Sequence, residues 1–548
     1  MSAPHGGGVS PVSSDRADVL IIGAGASGGV VGRRLAEAGF KVVCLEQGRW
    51  PDRLEYPGSK PDWELQAQKQ WSADPNVRQN PADYPINAEE SEIVPLMFNG
   101  VGGSTILYAG DWPRMVPSDF RVRTLDGVAE DWPLTYEELE PFYDRIAREV
   151  GVSGLAGDPA YPEGDDLPLP ALPLGDGVID VVRAHDRLGW HWWPAPNAIL
   201  SAPYRGRHPC AQWGSCMQGC PEGAKASTDI THWPEAIERG ARVLTGARVT
   251  RVVRGRNRLV RGAEYVDESG ETHFAEADVV VLAANAVGTA RLLLLSADGA
   301  FPDGLANSSG LVGRRLMMHP FAVVTGVFER FLQTWKGNVG SRIHCLEFYE
   351  TDTSRGFVRG AKWSMAPSTG GPMNAAMPAR AGNAVWGLDH HRHVKERFGH
   401  CLTWGIFGED LPDERNRVEL DAELVDSAGL PAPKIVYATS ENSRRLLDFH
   451  VERARESLLE AGAASVDALN LMRNAGWHVL GTARMGSDPA TSVVDPWGKT
   501  HDIDNLYVVD GSVFVTSGGV NPTNTISSLA LRFADGLVER RTRQRVPA

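Results

Sequence analysis

The chain has 548 residues, of which 42% are hydrophobic and 23% are charged, as is typical of a globular protein with more than one structural unit. Its net charge of −14 argues against nucleic acid or an anionic membrane surface as a partner. No apolar run approaches the ~20 residues of a transmembrane helix. Residues 1–17 lack the apolar core of a secretory signal and are predicted to be disordered, which favours a cytoplasmic location. Export alongside a partner subunit stays open.

The hydrophobic pattern predicts alternating strands and helices at both ends of the chain and an antiparallel sheet between them. The predicted elements are strands over 18–22, 41–45, 241–244, 247–253 and 505–510, helices over 26–38 and 444–461, and a sheet region over 321–437. Residues 158–177 and 366–384 are rich in Pro, Gly and small polar residues and are predicted to be loops. This order of elements predicts an α/β fold.

The first strand–helix–strand unit carries a dinucleotide-binding fingerprint, which includes Gly23, Gly25, Ser27 and Gly28. The first glycine permits a tight turn, the second lets the backbone approach a pyrophosphate, and the third allows close packing of helix and strand. Glu46 ends the second strand at the spacing expected for a carboxylate that binds adenosine ribose hydroxyls. The fingerprint does not distinguish FAD from NAD.

Three further blocks follow the fingerprint along the chain. Residues 99–105 are glycine-rich, residues 477–486 contain His478, and residues 510–525 run from Asp510 through Asn521 to Thr525. With these blocks in this order, the chain resembles the glucose–methanol–choline (GMC) family of FAD-dependent oxidoreductases. Within that family it is most similar to bacterial sugar and gluconate dehydrogenases. The resemblance extends from residue 18 to about residue 534.

The resemblance implies a Rossmann-like FAD-binding domain over residues 18–320, with a cysteine-rich loop at 205–225. A mainly antiparallel substrate-binding domain would span 321–467, and residues 468–548 would complete the FAD domain and carry the catalytic residues. The cofactor contacts that it implies, beyond the fingerprint, come from Gly102, Gly103, Ser104, Val249, Asp510, Gly511 and Thr523. Leu107 stands where some members bind FAD through a histidine, so non-covalent FAD is expected. Tyr108 replaces a common asparagine.

Oxidation of an alcohol by hydride transfer requires loss of the hydroxyl proton, and a neutral imidazole suits that step. The resemblance assigns the role of base to His478 and implies that Asn521 supports the substrate oxygen, with the hydride passing to flavin N5. His319 is a second histidine with structural and functional interpretations equally open. No Ser-His-Asp arrangement or zinc signature in the sequence competes with this hypothesis.

The expected substrate is a small polar alcohol, in particular a hydroxyl of a sugar, glycoside or amino sugar. Trp363, Trp386 and Trp404 could stack on a sugar ring, although each is also consistent with an ordinary core aromatic. The alternative within the same fold is a sterol or long-chain alcohol oxidase.

Cys210, Cys216 and Cys220 lie within eleven residues, and Pro221 follows the last of them. Some sugar and gluconate dehydrogenases of this family hold a [3Fe-4S] cluster with a similar segment, and such spacing suits iron–sulfur ligation. The second interpretation is that the cysteines are packing groups or free thiols. A cluster would imply a redox partner protein as electron acceptor, whereas its absence would leave dioxygen or a soluble acceptor open.

Overall fold

The computed structural model describes residues 16–367 and 387–545. Trp386 and most of the predicted loop at 366–384 lie outside the described residues. Within the described part of the chain, none of the helices combines the length and apolarity required to cross a bilayer.

Fifteen strands are present among the described residues. They are β1 (Ala17–Ile22), β2 (Val42–Leu45), β3 (Trp193–Pro194), β4 (Arg242–Leu244), β5 (Arg248–Arg254), β6 (Val260–Val266), β7 (Thr272–Leu282), β8 (Phe321–Val327), β9 (Ile343–Cys345), β10 (Ala361–Pro367), β11 (Cys401–Gly408), β12 (Arg417–Val425), β13 (Pro431–Val436), β14 (Ser465–Leu469) and β15 (Leu506–Val508). The predicted strands near the N-terminus and over 241–253 match β1, β2, β4 and β5 to within a residue or two.

The α-helices connect these strands. They are α1 (Ala26–Glu37), α2 (Trp63–Gln66), α3 (Pro75–Arg78), α4 (Val122–Asp126), α5 (Tyr136–Val150), α6 (Asp176–Leu188), α7 (Thr228–Thr231), α8 (Trp233–Glu238), α9 (Asn285–Leu295), α10 (His390–Arg397), α11 (Glu441–Glu460) and α12 (Thr523–Arg545). Helix α11 begins three residues before the predicted start, because Ser440 caps it by accepting the Ser443 N–H at 3.0 Å.

The larger sheet has seven strands in the order β4-β2-β1-β7-β6-β5, with β15 also paired to β7. Strands β4, β2, β1, β7 and β15 are parallel to their neighbours, whereas β5, β6 and the first half of β7 form an antiparallel meander. Strand β1 is almost wholly buried, as its continuous apolar sequence requires. Helix α1 then leads back across the sheet to β2, which completes the predicted Rossmann-like unit.

The second sheet has six strands in the order β14-β8-β11-β10-β9-β3, and all of its pairings are antiparallel. Side chains alternate along β10 and β11, so one face of this sheet packs on α6 and α11, while the other faces the cavity described below. A separate β12–β13 hairpin packs against α9. The predicted α/β class, with a parallel sheet beside an antiparallel one, is confirmed.

Candidate active site

A cavity of about 540 Å³ opens at the carboxyl ends of β1 and β2 and extends to the inner face of the second sheet. Its floor is formed where the fingerprint turn meets the glycine-rich block. A Cβ added to Gly103, which has a φ of +51°, would lie 2.7 Å from the Gly25 Cα. A Cβ on Gly28 would lie 2.1 Å from the Gly23 carbonyl oxygen. Glycine is therefore required for these close approaches, which leave backbone exposed to a ligand.

Most of the residues that the sequence assigned to the cofactor line this cavity. They are Gly23, Gly25, Ser27, Glu46, Gly103, Ser104, Val249, Asp510, Gly511 and Thr523. Gly28 and Gly102 do not line it. Gly28 instead brings α1 against β1, and Gly102 has a φ of +104° that shapes the turn before Gly103. The residues that do line the cavity come from four separated parts of the sequence, so the fold gathers them into one elongated cradle.

Two carboxylates in the cradle are held rigidly by the backbone and by hydroxyls. Glu46 accepts the N–H groups of Ala24 at 2.8 Å and Gly48 at 2.9 Å. Asp510 accepts the Ser512 N–H at 2.9 Å and the Thr289 hydroxyl at 2.6 Å. Burial raises the pKa of both carboxyls, and these hydrogen bonds oppose the rise. Both carboxyl groups are therefore held in fixed positions in the wall of the cradle, where hydroxyl groups of a bound molecule could reach them.

At the other end of the cavity, His478 contacts His319, which the sequence left undecided. The two Nδ1 atoms are 2.8 Å apart, and His319 Nε2 is 2.6 Å from the Gly518 carbonyl oxygen. A carbonyl only accepts, so His319 Nε2 carries the proton and its Nδ1 accepts. His478 must then donate from Nδ1, which leaves its Nε2 unprotonated, with a lone pair that can accept. The structure thus assigns the tautomer that a general base needs.

Both imidazoles are neutral in this arrangement. Burial lowers the pKa of His319 to about 4. Burial also lowers the pKa of His478 well below its usual value, and the nearby His319 and Lys362 lower it further. Asn521 lies beside this unprotonated nitrogen, and its amide Nδ2 donates to His478 Nε2 at 3.4 Å. Its carbonyl oxygen is buried without a hydrogen-bond partner among the described residues. The pair therefore presents one proton acceptor and one amide to a bound molecule.

The wall beside His478 is mainly apolar and aromatic, with Phe321, Phe407, Met472 and Trp477 lining the cavity. The suggestion that Trp363 and Trp404 stack on a substrate is wrong. Both are almost fully buried and donate their indole N–H groups to His450 and Ser457 respectively. Strand alternation explains the error. Trp363 and Trp404 directly precede Ser364 and Gly405, which line the cavity, so the two tryptophans point to the opposite face of the sheet.

The cysteine-rich loop borders the same cavity through Gly214, Met217 and Gln218. Its three cysteines are free thiols, and each sulfur accepts a backbone N–H. The donor–acceptor pairs are Gln212 to Cys210 at 3.3 Å, Val339 to Cys216 at 3.3 Å and Lys225 to Cys220 at 3.5 Å. The three sulfurs do not belong to any described set of ligand atoms within 4.8 Å of one another, so they do not form a single-ion site.

Three cations interact electrostatically with these thiols: Arg207 with Cys220, Lys225 with Cys216 and Cys220, and Arg342 with Cys210 and Cys216. Lys225 is buried, and its ammonium donates only to carbonyl oxygens, at 3.1 Å from Thr105 and 2.8 Å from Ile106 and Tyr108. Arg207 and Arg342 also donate to carbonyls, and among residues 16–367 and 387–545 none of the three cations pairs with a carboxylate. Lys225 joins the cysteine loop to the turn that approaches the cofactor cradle.

Comparison with known proteins identifies the family. Two family models described as GMC oxidoreductase match residues 179–321 and 412–530. The chain is 42% identical to 2-methyl-1,2-propanediol dehydrogenase of Mycolicibacterium austroafricanum, over 96% of both chains. The chain therefore belongs to the GMC oxidoreductase family. It is an FAD-dependent oxidoreductase that acts on alcohol or sugar-like CH–OH groups.

Other relatives match over nearly their whole length. The chain is 32% identical to paromamine 6'-oxidase of Streptomyces fradiae, over 94% of this chain and 90% of that protein. It is 29% identical to the fructose dehydrogenase large subunit of Gluconobacter japonicus, over 95% and 98% respectively. Among solved structures, pyridoxine 4-oxidase from Mesorbium loti covers 97% of this chain with all of its own, at a TM-score of 0.67 and 20% identity. That likeness confirms the fold.

Proposed function

We propose that this enzyme oxidises a hydroxyl of a small polar alcohol, of the diol, sugar or amino-sugar class, with His478 as the general base. The observation that carries the proposal is the chain of hydrogen bonds from Gly518 through His319 to His478. It leaves the His478 Nε2 lone pair facing a cavity that is continuous with the cofactor cradle.

His478 would take the hydroxyl proton at Nε2 as the carbon–hydrogen bond breaks. Bound FAD supplies the acceptor for the hydride. The Asn521 amide lies beside the developing alkoxide and can donate a hydrogen bond that strengthens as charge forms on oxygen. The aromatic wall excludes water, which strengthens these interactions.

We also infer that FAD binds without a covalent bond at the glycine-rich block. Leu107 has no nucleophilic atom, and the adjacent Tyr108 donates its hydroxyl to the Ala226 carbonyl at 2.6 Å. The cradle fits a dinucleotide because close backbone approaches at Gly25 and Gly103 leave no side chain in the way.

The assignment is tested by mixing the purified holoenzyme anaerobically with diols, sugars, amino sugars and a long-chain alcohol. We expect polar alcohols to bleach the flavin absorbance and the long-chain alcohol to leave it unchanged. Preferential bleaching by the long-chain alcohol or a sterol would favour the alternative function. Turnover without any net reduction of flavin or acceptor would instead indicate a lyase.

A second proposal concerns the electron acceptor. We propose that Cys210, Cys216 and Cys220 hold a [3Fe-4S] cluster that passes electrons to a redox partner protein. Three iron atoms bind three cysteines separately, so the sulfurs need not converge on one point. The backbone N–H groups on each sulfur and the three cations without carboxylate partners suit an anionic cluster, because buried positive charge requires a counter-charge. Burial, together with the neighbouring Cys216 and Cys220, raises the pKa of Cys210 to about 11, so metal binding must displace a proton.

Replacing the three cysteines together with serine will abolish iron and acid-labile sulfide while leaving FAD bound. The wild-type protein, purified anaerobically, is expected to hold about three irons per chain. Cys345→Ala serves as the control, because this thiol lies in β9 and outside the cysteine loop. A wild-type protein that takes up no iron on anaerobic reconstitution would contradict the proposal and would direct the search to dioxygen or a soluble acceptor.

A further inference from the structure

One polar patch interrupts the apolar wall of the cavity. Ser341 and Ser364 both line the cavity and both donate their hydroxyl protons to Asp111 Oδ2, at 2.7 Å and 3.1 Å. Ser341 precedes β9 and Ser364 lies within β10, whereas Asp111 comes from the loop after the glycine-rich block. Asp111 is 5% exposed. The patch is therefore assembled from three distant parts of the sequence.

The charge state of the patch is determined by Lys362. Its ammonium pairs with Asp111 Oδ2 and is completely buried. Burial acts to raise the pKa of the Asp111 carboxyl, but this pairing and the Ser341 hydroxyl lower it overall. An ionised carboxylate only accepts hydrogen bonds, so each serine hydroxyl donates its single hydrogen to Asp111. The two hydroxyl oxygens can offer only lone pairs to the cavity.

The patch and the base share one chamber. Phe407 connects them, because the Lys362 ammonium lies 5.3 Å from the centre of its ring and the His478 ring lies 5.5 Å from it. The Lys362 backbone N–H also donates to the Gly519 carbonyl at 3.1 Å. Gly519 directly follows Gly518, whose carbonyl contacts His319, and lies two residues before Asn521. A substrate whose reacting hydroxyl meets His478 can therefore extend along Phe407 toward the serines.

We propose that Ser341 and Ser364, oriented by Asp111, form a specificity site for a second hydrogen-bond donor of the substrate, either a hydroxyl or an ammonium group. This inference rests on the proposed function and deepens it. A mono-alcohol would leave the serine lone pairs without a donor, which costs binding energy in a buried site. The enzyme should thus discriminate in favour of diols, polyols or amino alcohols.

The test measures kcat/KM for α,ω-diols and amino alcohols of increasing length and compares each value with that for the mono-alcohol of equal length. The measurements are made on the wild type and on Ser341→Ala, Ser364→Ala and the double variant. We expect the wild type to prefer one chain length of diol or amino alcohol over its mono-alcohol. Each alanine should reduce that preference, by about tenfold per lost hydrogen bond, because the variant loses the hydrogen bond to the second group and no longer penalises the mono-alcohol. Whichever series shows the preference identifies the second group as hydroxyl or ammonium.

Thr403→Val is the matched control, since this threonine lies on β11, pairs with Thr325 at 2.9 Å and does not line the cavity. Flavin absorbance and melting temperature check that each variant folds. A preference that survives in the double variant, or its absence from the wild type, would overturn the inference. If no alcohol is oxidised, the proposed function fails. The inference is then tested by titrating the same compounds into the enzyme and following the flavin absorbance. Tighter binding of diols or amino alcohols than of mono-alcohols, lost in the double variant, would support the inference, and equal dissociation constants would overturn it.

Discussion

Replacing His478 with alanine will lower kcat for alcohol oxidation by about 10²- to 10⁴-fold, the usual contribution of a positioned general base. FAD should remain bound, because His478 lies at the end of the cavity away from the cradle glycines. The variant removes the only lone pair that the His319 contact directs toward the substrate. Stopped-flow measurement of anaerobic flavin reduction isolates this step from electron transfer to the acceptor.

His273→Ala is the control for that variant, because this histidine lies at the start of β7, pairs with Asp267 at 2.8 Å and does not line the cavity. The wild type should also keep its full kcat/KM as pH falls through 6.5. Burial lowers the pKa of His478, so the neutral base persists below that pH and activity is lost only as pH falls through the lowered pKa. Unchanged flavin reduction in His478→Ala, or an acid limb at or above pH 6.5, would contradict the assignment.

Arg359→Met will destabilise the fold by about 3–5 kcal/mol, the typical cost of removing one partner from a buried ion network. Arg359 is 1% exposed and binds Glu409 at 2.8 Å, Asp126 at 3.3 Å and Asp119. Removing the guanidinium leaves these carboxylates buried without their cation. Urea denaturation of the holoenzyme, followed by tryptophan fluorescence, measures the change in free energy of unfolding.

The comparison for this variant is Arg415→Met. Arg415 pairs with Asp413 at the surface, where the loss of an ion pair costs at most about 1 kcal/mol. Equal effects of the two substitutions would contradict the prediction.

The network also supports the active site, since the Tyr349 hydroxyl donates to Asp119 at 3.0 Å and accepts the Gly519 N–H at 2.7 Å. Arg359→Met should therefore loosen the loop that carries Asn521.

Local sequence determined the cofactor end of this protein. The turn at Gly23 and the packing at Gly28 follow from steric requirements of a few adjacent residues, and Glu46 follows from the length of one strand–helix–strand unit. The order of the four blocks also identified the family, which the comparisons confirm. The strands and helices near the N-terminus match their predictions because continuous apolar strands and an amphipathic helix leave clear patterns.

At the other end of the cavity, His478 and Asn521 were predicted from the sequence, but only the tertiary structure showed which residues surround them. His319 meets His478 across 159 positions, and Asp111 meets Ser341 and Ser364 across 230 and 253 positions. Such contacts depend on which strands pair and in what register, and a shift of one residue would turn every side chain on a strand to the opposite face. For the same reason, the sequence by itself could not show whether Trp363 and Trp404 face the cavity or the core.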